Sequence, residues 1–560
     1  MNAQSLQCFG RVSLRVLLLT SAALAQIAGS AQADEQPAIG RRGMVSSAHP
    51  IATDAGLAML KRGGNAFDAA ISVAATLNVV EPYNSGIGGY GLILIYDAKT
   101  GNARVLNCSG RIPQAVDADV FRAPDPNHLA NRKSAKAVST PTNLNAWHQI
   151  SQEYGSQPWT SLFDSAIETA EDGFVISAWT ARIIAKYFAD FSDYSKSFYG
   201  RDGEPLEAGD RLVQKDLARS LRLVAEDGRI ALYGGKLGLA IDETMRESGG
   251  FLTMDDLLAN EAEWWEPISI PYRGYEITTA SPPANSFSSL IRMGMMSRFD
   301  NRGLGHNTTE YLHRFAEVTK HAFWCRLKYA GDPDVQGPPL GELLSESYFD
   351  EQVAALDLAQ ATRFKPPGSV GAAGAQTTHF VVADDAGNIV CATQTLGTGF
   401  GSKIMPPGTG IWLNNSLNFC TFEPPGNPMD AHPGRRKLIS NHPTFVLRDG
   451  KPWLVIGTPG GHTIGQTVPQ MIMNAVDFDM DVQRAIAEPR VSFVEPDELA
   501  VEGGISQTVL DKLTTLGHKL KPTERIGLAH GLTIEYDDSG QPTRFTGGAD
   551  PRGQGMARGF

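Results

Sequence analysis

Gln376-Thr377-Thr378-His379-Phe380 joins a pair of threonines to the start of an alternating strand, Phe380 to Ala383. The turn Asp384-Asp385-Ala386-Gly387-Asn388 follows, then a return strand from Ile389 to Thr395. A threonine hydroxyl is a weak nucleophile until a base takes its proton, and one base within reach is the residue's own α-amino group. An amide nitrogen is not basic, whereas a free α-amino group titrates near ~7.7. Cleavage of the Gln376–Thr377 bond would create nucleophile and base together. The pattern predicts a precursor that activates itself, with Thr377 as its catalytic residue. Paired threonines at a strand start are also ordinary β-propensity, so the prediction needs other segments that fit the same site.

Attack on an amide makes a tetrahedral oxyanion, which needs N–H donors aimed at it, worth roughly 3–4 kcal/mol each. Gly460-Gly461 sits between a strand end and a helix start. Backbone N–H groups are free there and the helix dipole favours negative charge. Thr395 closes the return strand, where antiparallel pairing could bring its hydroxyl back beside Thr377. Arg111, in Ser109-Gly110-Arg111-Ile112-Pro113, is a candidate carboxylate clamp because a guanidinium binds that group in bidentate fashion. His379, His442 and His462 read as structural, since the chain has neither a G-x-S-x-G elbow nor an H-E-x-x-H helix.

These residues need elements to position them. Thr53-Asp54 reads as the cap of a helix from Ala55 to Lys61, stopped by Gly63-Gly64. Asn65 then caps a second helix from Ala66 to about Val79. Gly86, Gly88 and Gly91 formally satisfy G-x-G-x-x-G, but they follow a helix and open a strand, Leu92 to Tyr96. A dinucleotide fingerprint needs the reverse order, so a nicotinamide or flavin site is rejected. Residues 120–340 read as mainly helical, with a patterned stretch from Thr309 to Tyr329. The run from Pro366 to Ala375 is small and nearly uncharged, as a self-cleaving chain requires if the new end is to leave the site. Beyond Thr377 the chain turns to β-structure. Thr444–Leu447 and Trp453–Ile456 flank an Asp449-Gly450 turn, and a helical stretch runs from Thr463 to about Val476. Strands framed by helices suggest a sheet sandwich between helical layers.

Length and composition agree with a soluble globular protein: 560 residues, 42% hydrophobic and 20% charged. Residues 1–33 read as a secretory signal. Arg11 and Arg15 precede the apolar run from Val16 to Ala28, and Ala31-Gln32-Ala33 supplies a cleavage site. No later segment has the ~20 apolar residues of a membrane helix, so no stable membrane anchor is expected. Removing the signal takes the net charge from −12 to −14. That excess argues against nucleic acid as a partner, and any anionic ligand needs a local cation. Cys108, Cys325, Cys391 and Cys420 lack metal-like spacing and read as packed thiols. Neither a metal nor a cofactor is expected.

Taken together, the segments strongly resemble the γ-glutamyltranspeptidase family of N-terminal nucleophile hydrolases. The match includes Gly63 to Ala70, Glu81-Pro82 with the glycine loop to Gly91, Arg111, Arg326 and Gly331-Asp332-Pro333-Asp334. It continues through Thr377-Thr378-His379, Pro459-Gly460-Gly461 and Asp550-Pro551-Arg552. The resemblance implies an α+β, αββα sandwich built from two autoprocessed subunits, 34–376 and 377–560, cut between Gln376 and Thr377. Thr377, Thr395, Gly460-Gly461 and Arg111 then fall on the family's nucleophile, its hydroxyl partner, its oxyanion hole and its carboxylate clamp. The implied reaction is attack on a γ-glutamyl-type amide such as glutathione, followed by release of the acyl group to water or an amine. The substrate is a small-molecule amide, and the setting is secreted, most simply periplasmic.

The donor pocket departs from the family pattern. Asn414-Asn415-Ser416-Leu417-Asn418-Phe419 stands where the family has N-N-Q-M-D-D-F, so Asn418 replaces the key aspartate and Ser416 stands in the polar run. Ile439-Ser440 keeps one hydroxyl of a serine pair, and Gly397 replaces an asparagine. An α-ammonium deprived of its carboxylate loses roughly 2–5 kcal/mol. An acylase for glutaryl-type groups without an α-amino group, as taken by the related cephalosporin acylases, is therefore the alternative. A non-catalytic ligand-binding descendant is the third reading.

Overall fold

The hairpin carrying Thr377 forms the middle of a seven-stranded antiparallel sheet. A computed structural model describes residues 36–366 and 376–560; the signal-like leader, and the small-residue run apart from Pro366, lie outside the described residues. The strand Gln376–Asp384 pairs with Gly43–Ser47 on one side and with Ile389–Gly397 on the other. Tyr90–Asp97, Asn102–Cys108 and Glu263–Trp265 extend the sheet beyond the return strand, and Met556–Gly559 closes its far edge. A second seven-stranded antiparallel sheet runs in the order Ala38–Gly40, Pro542–Ala549, His530–Tyr536, Lys451–Gly457, Thr444–Arg448, Tyr275–Thr279 and Ile268–Tyr272. Each sheet mixes strands from before and after the Gln376–Thr377 bond, so backbone pairing holds the two parts together without that bond.

Side-chain alternation explains the four layers. Val381, Cys391 and Leu94 lie opposite one another across three strands. They pack with Phe445, Val455, Leu532 and Phe545 of the second sheet. The neighbouring residues Phe380, Val382 and Val390 point the other way, into the core built on the helices Pro50–Lys61 and Ala66–Val80. On the outer face of the second sheet, Val446, Leu454 and Ile456 pack against helices Phe287–Met296, Thr309–Tyr329 and Ile464–Asp477. The result is a helix–sheet–sheet–helix sandwich, each buried large aliphatic side chain contributing roughly 1.5–3 kcal/mol.

Local chemistry sets the element ends. Asn65 caps the helix Ala66–Val80 in a capping box with Asp68. Asp384 folds the hairpin turn by accepting from Ala386 and Asn388, and its second oxygen accepts from the Ala66 N–H at 2.8 Å. One carboxylate thus ties the hairpin to a helix start, where negative charge is favoured. Asp449 and Gly450 both take positive φ in the predicted hairpin turn.

Two expectations are corrected. The first helix begins at Pro50, capped by the His49 ring, rather than at Ala55. The Thr53 hydroxyl instead bonds Ser47 and the Met556 carbonyl. The stretch 120–340 is also less uniformly helical than expected, because Glu263–Trp265, Ile268–Tyr272 and Tyr275–Thr279 supply edge strands to both sheets. Cys108, Cys325, Cys391 and Cys420 are free and buried. Among the described residues, no helix is long and apolar enough to cross a membrane.

Candidate active site

The sandwich opens at one end onto Thr377. Thr377, Thr395 and Tyr90 stand opposite one another across three strands, all on the face turned toward the second sheet. The two sheets approach closely here because Gly457 has no side chain, and the ring of His379 lies against its backbone where a Cβ would clash. The next residues, Thr458 to Gly461, then pass over Thr377. Glycine is required in that turn, since Gly460 has φ +142° and Gly461 φ +59°.

Thr377 is 5% exposed. Its hydroxyl donates to Thr395 Oγ1 at 3.3 Å. The Thr395 hydroxyl in turn donates to the carbonyl oxygen of Gln376 at 2.5 Å and accepts from the Gly397 N–H at 2.8 Å. One hydroxyl therefore contacts both the Thr377 oxygen and the carbonyl of the very peptide bond that precedes Thr377. A bulge between Gln376 and Thr377 breaks the strand register at this point, turning that carbonyl away from the regular ladder.

Beside Thr377 lies a cavity of about 250 Å³, walled by Asn84, Pro459, Gly460, Thr463 and the segment Arg525–Leu528. The N–H groups of Gly460 and Gly461 donate to no acceptor among the described residues, and Gly460 lines the cavity. Asp550-Pro551-Arg552 braces the opposite wall. Buried Asp550 pairs with Arg490 at 2.7 Å and accepts from the Ala529 N–H at 2.9 Å. Arg552 binds Glu502 and the carbonyls that end the helix Val482–Ala487.

Under the hairpin lies Glu81, at the end of the helix Ala66–Val80. Thr378 donates to it at 3.0 Å and Tyr83 at 3.4 Å. Burial pushes the Glu81 carboxyl up to about 7, against the pull of hydrogen bonds from Asn84, Thr378 and Tyr83. The three histidines are held in structural contacts. His379 meets Thr393 at 2.8 Å, His442 meets the Ser440 carbonyl at 2.6 Å, and His462 meets buried Arg326 at 3.0 Å. Burial holds His379 and His442 neutral, well below the usual imidazole range.

A scan against family models matches the chain to Gamma-glutamyltranspeptidase over residues 52–560. The chain belongs to the gamma-glutamyltranspeptidase family. It is 34% identical to the glutathione hydrolase proenzyme of Bacillus subtilis (strain 168), covering 94% of this chain and 93% of that protein. It is 35% identical to the acylase ACY 1 proenzyme of Pseudomonas sp. (strain V22), over 88% and 90% of the two chains. The crystal structure of cephalosporin acylase from Bacillus halodurans superposes with a TM-score of 0.83 at 27% identity, covering 94% of this chain and 97% of that one. The αββα sandwich is thus the N-terminal nucleophile hydrolase fold, and the chain is a proenzyme of that hydrolase and acyltransferase class, giving a large and a small subunit.

The residues expected to bind the substrate, Arg111, Ser416, Asn418 and Ser440, do not line the Thr377 cavity. Arg111 donates to Glu263 at 2.7 Å and to the Gly434 carbonyl at 3.1 Å. Ser416 donates to Ser139 at 2.6 Å, and Ser440 accepts from Asn285 at 3.4 Å. Asn418 is buried, and its side chain makes no hydrogen bond among the described residues. Ser109 and Cys420, near Arg111 and Asn418 in sequence, lie beside Lys437, itself three residues before Ser440. The Lys437 ammonium lies 4.1 Å from the centre of the Tyr90 ring and donates to the Ser109 carbonyl. Burial pulls it down to about 7, with Cys420 and Cys108 nearby. Among the described residues no carboxylate pairs with Lys437.

The glycine loop packs tightly: Gly88, Gly89 and Gly91 lie so close to Trp412, Thr395 and Thr393 that side chains would collide. Glu81, Asn84, Arg525–Leu528 and Lys437 were not singled out as functional from sequence. Lys437 sits in Arg435-Arg436-Lys437, a pattern that reads as a solvated charge run. A separate group, His313, Glu317 and His518, brings potential ligand atoms within 4.8 Å of one another. Its carboxylate is already engaged by Lys320 and the Thr362 N–H.

Proposed function

We propose that Thr377 is the nucleophile in both maturation and turnover, acting on γ-glutamyl-type amides. The observation that carries this reading is the chain of contacts from Thr377 Oγ1 to Thr395 Oγ1 to the Gln376 carbonyl oxygen. In maturation, Thr377 Oγ attacks the Gln376 carbonyl carbon, and the charge developing on that oxygen meets the Thr395 hydroxyl. The C–N bond breaks as the nitrogen takes a proton. Water then hydrolyses the resulting ester, leaving Gln376 with a carboxylate and Thr377 with a free amine. In turnover that amine takes the Thr377 hydroxyl proton and returns it to the departing amine. The Gly460 and Gly461 N–H groups, which donate to no acceptor among the described residues, receive the substrate oxyanion. Water or a second amine releases the acyl group. The boundaries 34–376 and 377–560, and export directed by residues 1–33, belong to the same proposal. Purified protein should give a fragment starting at Thr377 and hydrolyse γ-glutamyl-p-nitroanilide. An uncut, inactive chain would favour a ligand-binding descendant instead.

A second reading is favoured by the surroundings of Lys437. The donor-side segments hold a buried cation, a one-hydroxyl Ser440 and Asn418 in place of an acid, while Glu263 is engaged by Arg111 and Arg436. That composition suits an acyl group ending in a carboxylate and lacking an ammonium, as a glutaryl group does. Comparing glutaryl- with γ-glutamyl-p-nitroanilide decides between donors. A large preference for the γ-glutamyl compound removes the glutaryl reading.

A further inference from the structure

Maturation poses a problem that turnover does not. Until the Gln376–Thr377 bond is cut, the Thr377 nitrogen is an amide and cannot act as a base. Another group must take the proton from Thr377 Oγ. The cavity of about 250 Å³ beside Thr377 is lined by no carboxylate and no imidazole among the described residues. A second, much smaller space of about 10 Å³ also touches Thr377, and Glu81, Asn84, His530, Asp550 and Gln554 border it. That volume admits about one water molecule.

Three of these side chains could accept a proton. Asp550 is committed to Arg490 at 2.7 Å and to Arg552 at 3.0 Å. Burial holds the His530 ring down to about 4, against the pull of Asp550, so this imidazole is a poor base. Glu81 differs from both. Its neighbours are the hydroxyls of Thr378 and Tyr83 and the Asn84 amide, and no charged group among the described residues pairs with it. Tyr83 stays a neutral phenol, pushed up by burial and by Glu81 itself. Burial brings the Glu81 carboxyl to about 7, and a base that titrates near the working pH is the efficient one. The space between is polar as well. Asn84 Oδ1 and both ring nitrogens of His530 are buried without a hydrogen-bond partner among the described residues, the setting in which ordered water pairs polar atoms.

We propose that Glu81 takes the Thr377 hydroxyl proton during maturation, through the space the two residues share. The inference rests on Thr377 being the nucleophile. The Thr377 O–H turns from Thr395 to one water in that space. As Oγ bonds to the Gln376 carbonyl carbon, this water accepts the hydroxyl proton and gives one of its own to the Glu81 carboxylate. The proton returns along the same route to the Thr377 nitrogen as the C–N bond breaks. An ester and a free amine result, and Glu81 is ionised as it began. The new amine then serves turnover, so Glu81 matters most before the cut.

The test follows full-length precursor, labelled in a short pulse of cell-free synthesis and chased at pH 5.5 to 8.5 on denaturing gels. In the parent, the rate of subunit appearance should rise with pH and level off above about 7, where Glu81 is ionised. Glu81→Gln should mature at least ~100-fold more slowly and lose that rise. Glu81→Asp, which keeps a carboxylate, should fall between the two and keep a rise. Glu81→Gln also removes a buried charge, so its urea midpoint at pH 7.5 should be no lower than the parent's, which separates proton transfer from misfolding. Its loss in maturation rate should exceed its loss in kcat on γ-glutamyl-p-nitroanilide at least tenfold. Maturation of Glu81→Gln within threefold of the parent, or a parent rate flat across this pH range, overturns the proposal while a fragment beginning at Thr377 leaves the nucleophile standing. Parent fragments that begin elsewhere, or a cut in Thr377→Ala, would sink the Thr377 reading and this proposal with it.

Discussion

Replacing Thr395 by valine keeps the branched shape and removes one oxygen. In the structure that oxygen makes three contacts: it accepts from Thr377 at 3.3 Å and from Gly397 at 2.8 Å, and it donates to the Gln376 carbonyl at 2.5 Å. The last contact points at the atom where charge develops when Thr377 attacks its own upstream carbonyl. Losing one preorganised donor of this kind costs about 3–4 kcal/mol in the transition state, or ~100- to 1000-fold in rate. The Gly397 N–H also loses its acceptor in a buried setting, which should lower stability by about 1–3 kcal/mol. The two effects separate experimentally. Newly synthesised precursor is followed on denaturing gels for the rate of appearance of the two subunits, and urea unfolding gives the stability. Thr395→Val should mature at least ~100-fold more slowly, whereas Thr395→Ser, which restores the hydroxyl, should recover most of the rate. Maturation of the valine variant within threefold of the parent would refute the assigned role of this hydroxyl.

Other outcomes follow from the same geometry. Thr377→Ala should stay a single chain, because the attacking atom is gone; two-chain material on a gel would mean that another protease makes the cut. Burial pushes the Glu81 carboxyl up to about 7, from an ordinary value of 4.5. Both states are protonated below pH 4.5, so no penalty exists there. As pH rises from 4.5 to 7 the unfolded chain loses this proton more readily, and stability falls by roughly 3 kcal/mol in all. Glu81→Gln should flatten that decline, read as urea midpoints at pH 5 and 7.5; an unchanged slope would contradict the burial account. Asp550→Ala strands Arg490, whose side chain is 1% exposed, and should cost about 3–5 kcal/mol in unfolding free energy. A loss below 1 kcal/mol would show that Arg490 finds another partner.

Much of the site was legible because local patterns carry it. The hairpin Gln376–Gly397 is two runs buried on both faces and joined by the turn Asp384–Asn388, so the Thr377–Thr395 pairing was legible, and the family resemblance gave it a role. Asn65 is an ordinary helix cap and the helix Ala66–Val80 followed from it, while Thr309–Tyr329 followed from its patterning. The first helix began early because its cap is His49, a residue that rarely announces a helix start. Tyr272-Arg273-Gly274-Tyr275 is a tight turn with positive φ at Arg273 and Gly274. Its flanking strands are short and were absorbed into a segment read as helical. The buried cations were hidden for a different reason. Arg436 is compensated by Glu263, Asp332 and Asp334, acids about 100 or more positions away, and Lys437 lies over Tyr90. Burial of a basic run depends on such distant partners, which no local window contains.

The most direct measurement is the intact mass of the purified protein together with the N-terminal residues of each fragment. The account predicts a small fragment that begins at Thr377 with a free amino group and carries about 20 kDa of the 60.3 kDa chain. A polypeptide continuous across Gln376 and Thr377 that still hydrolyses amides at full rate would contradict it.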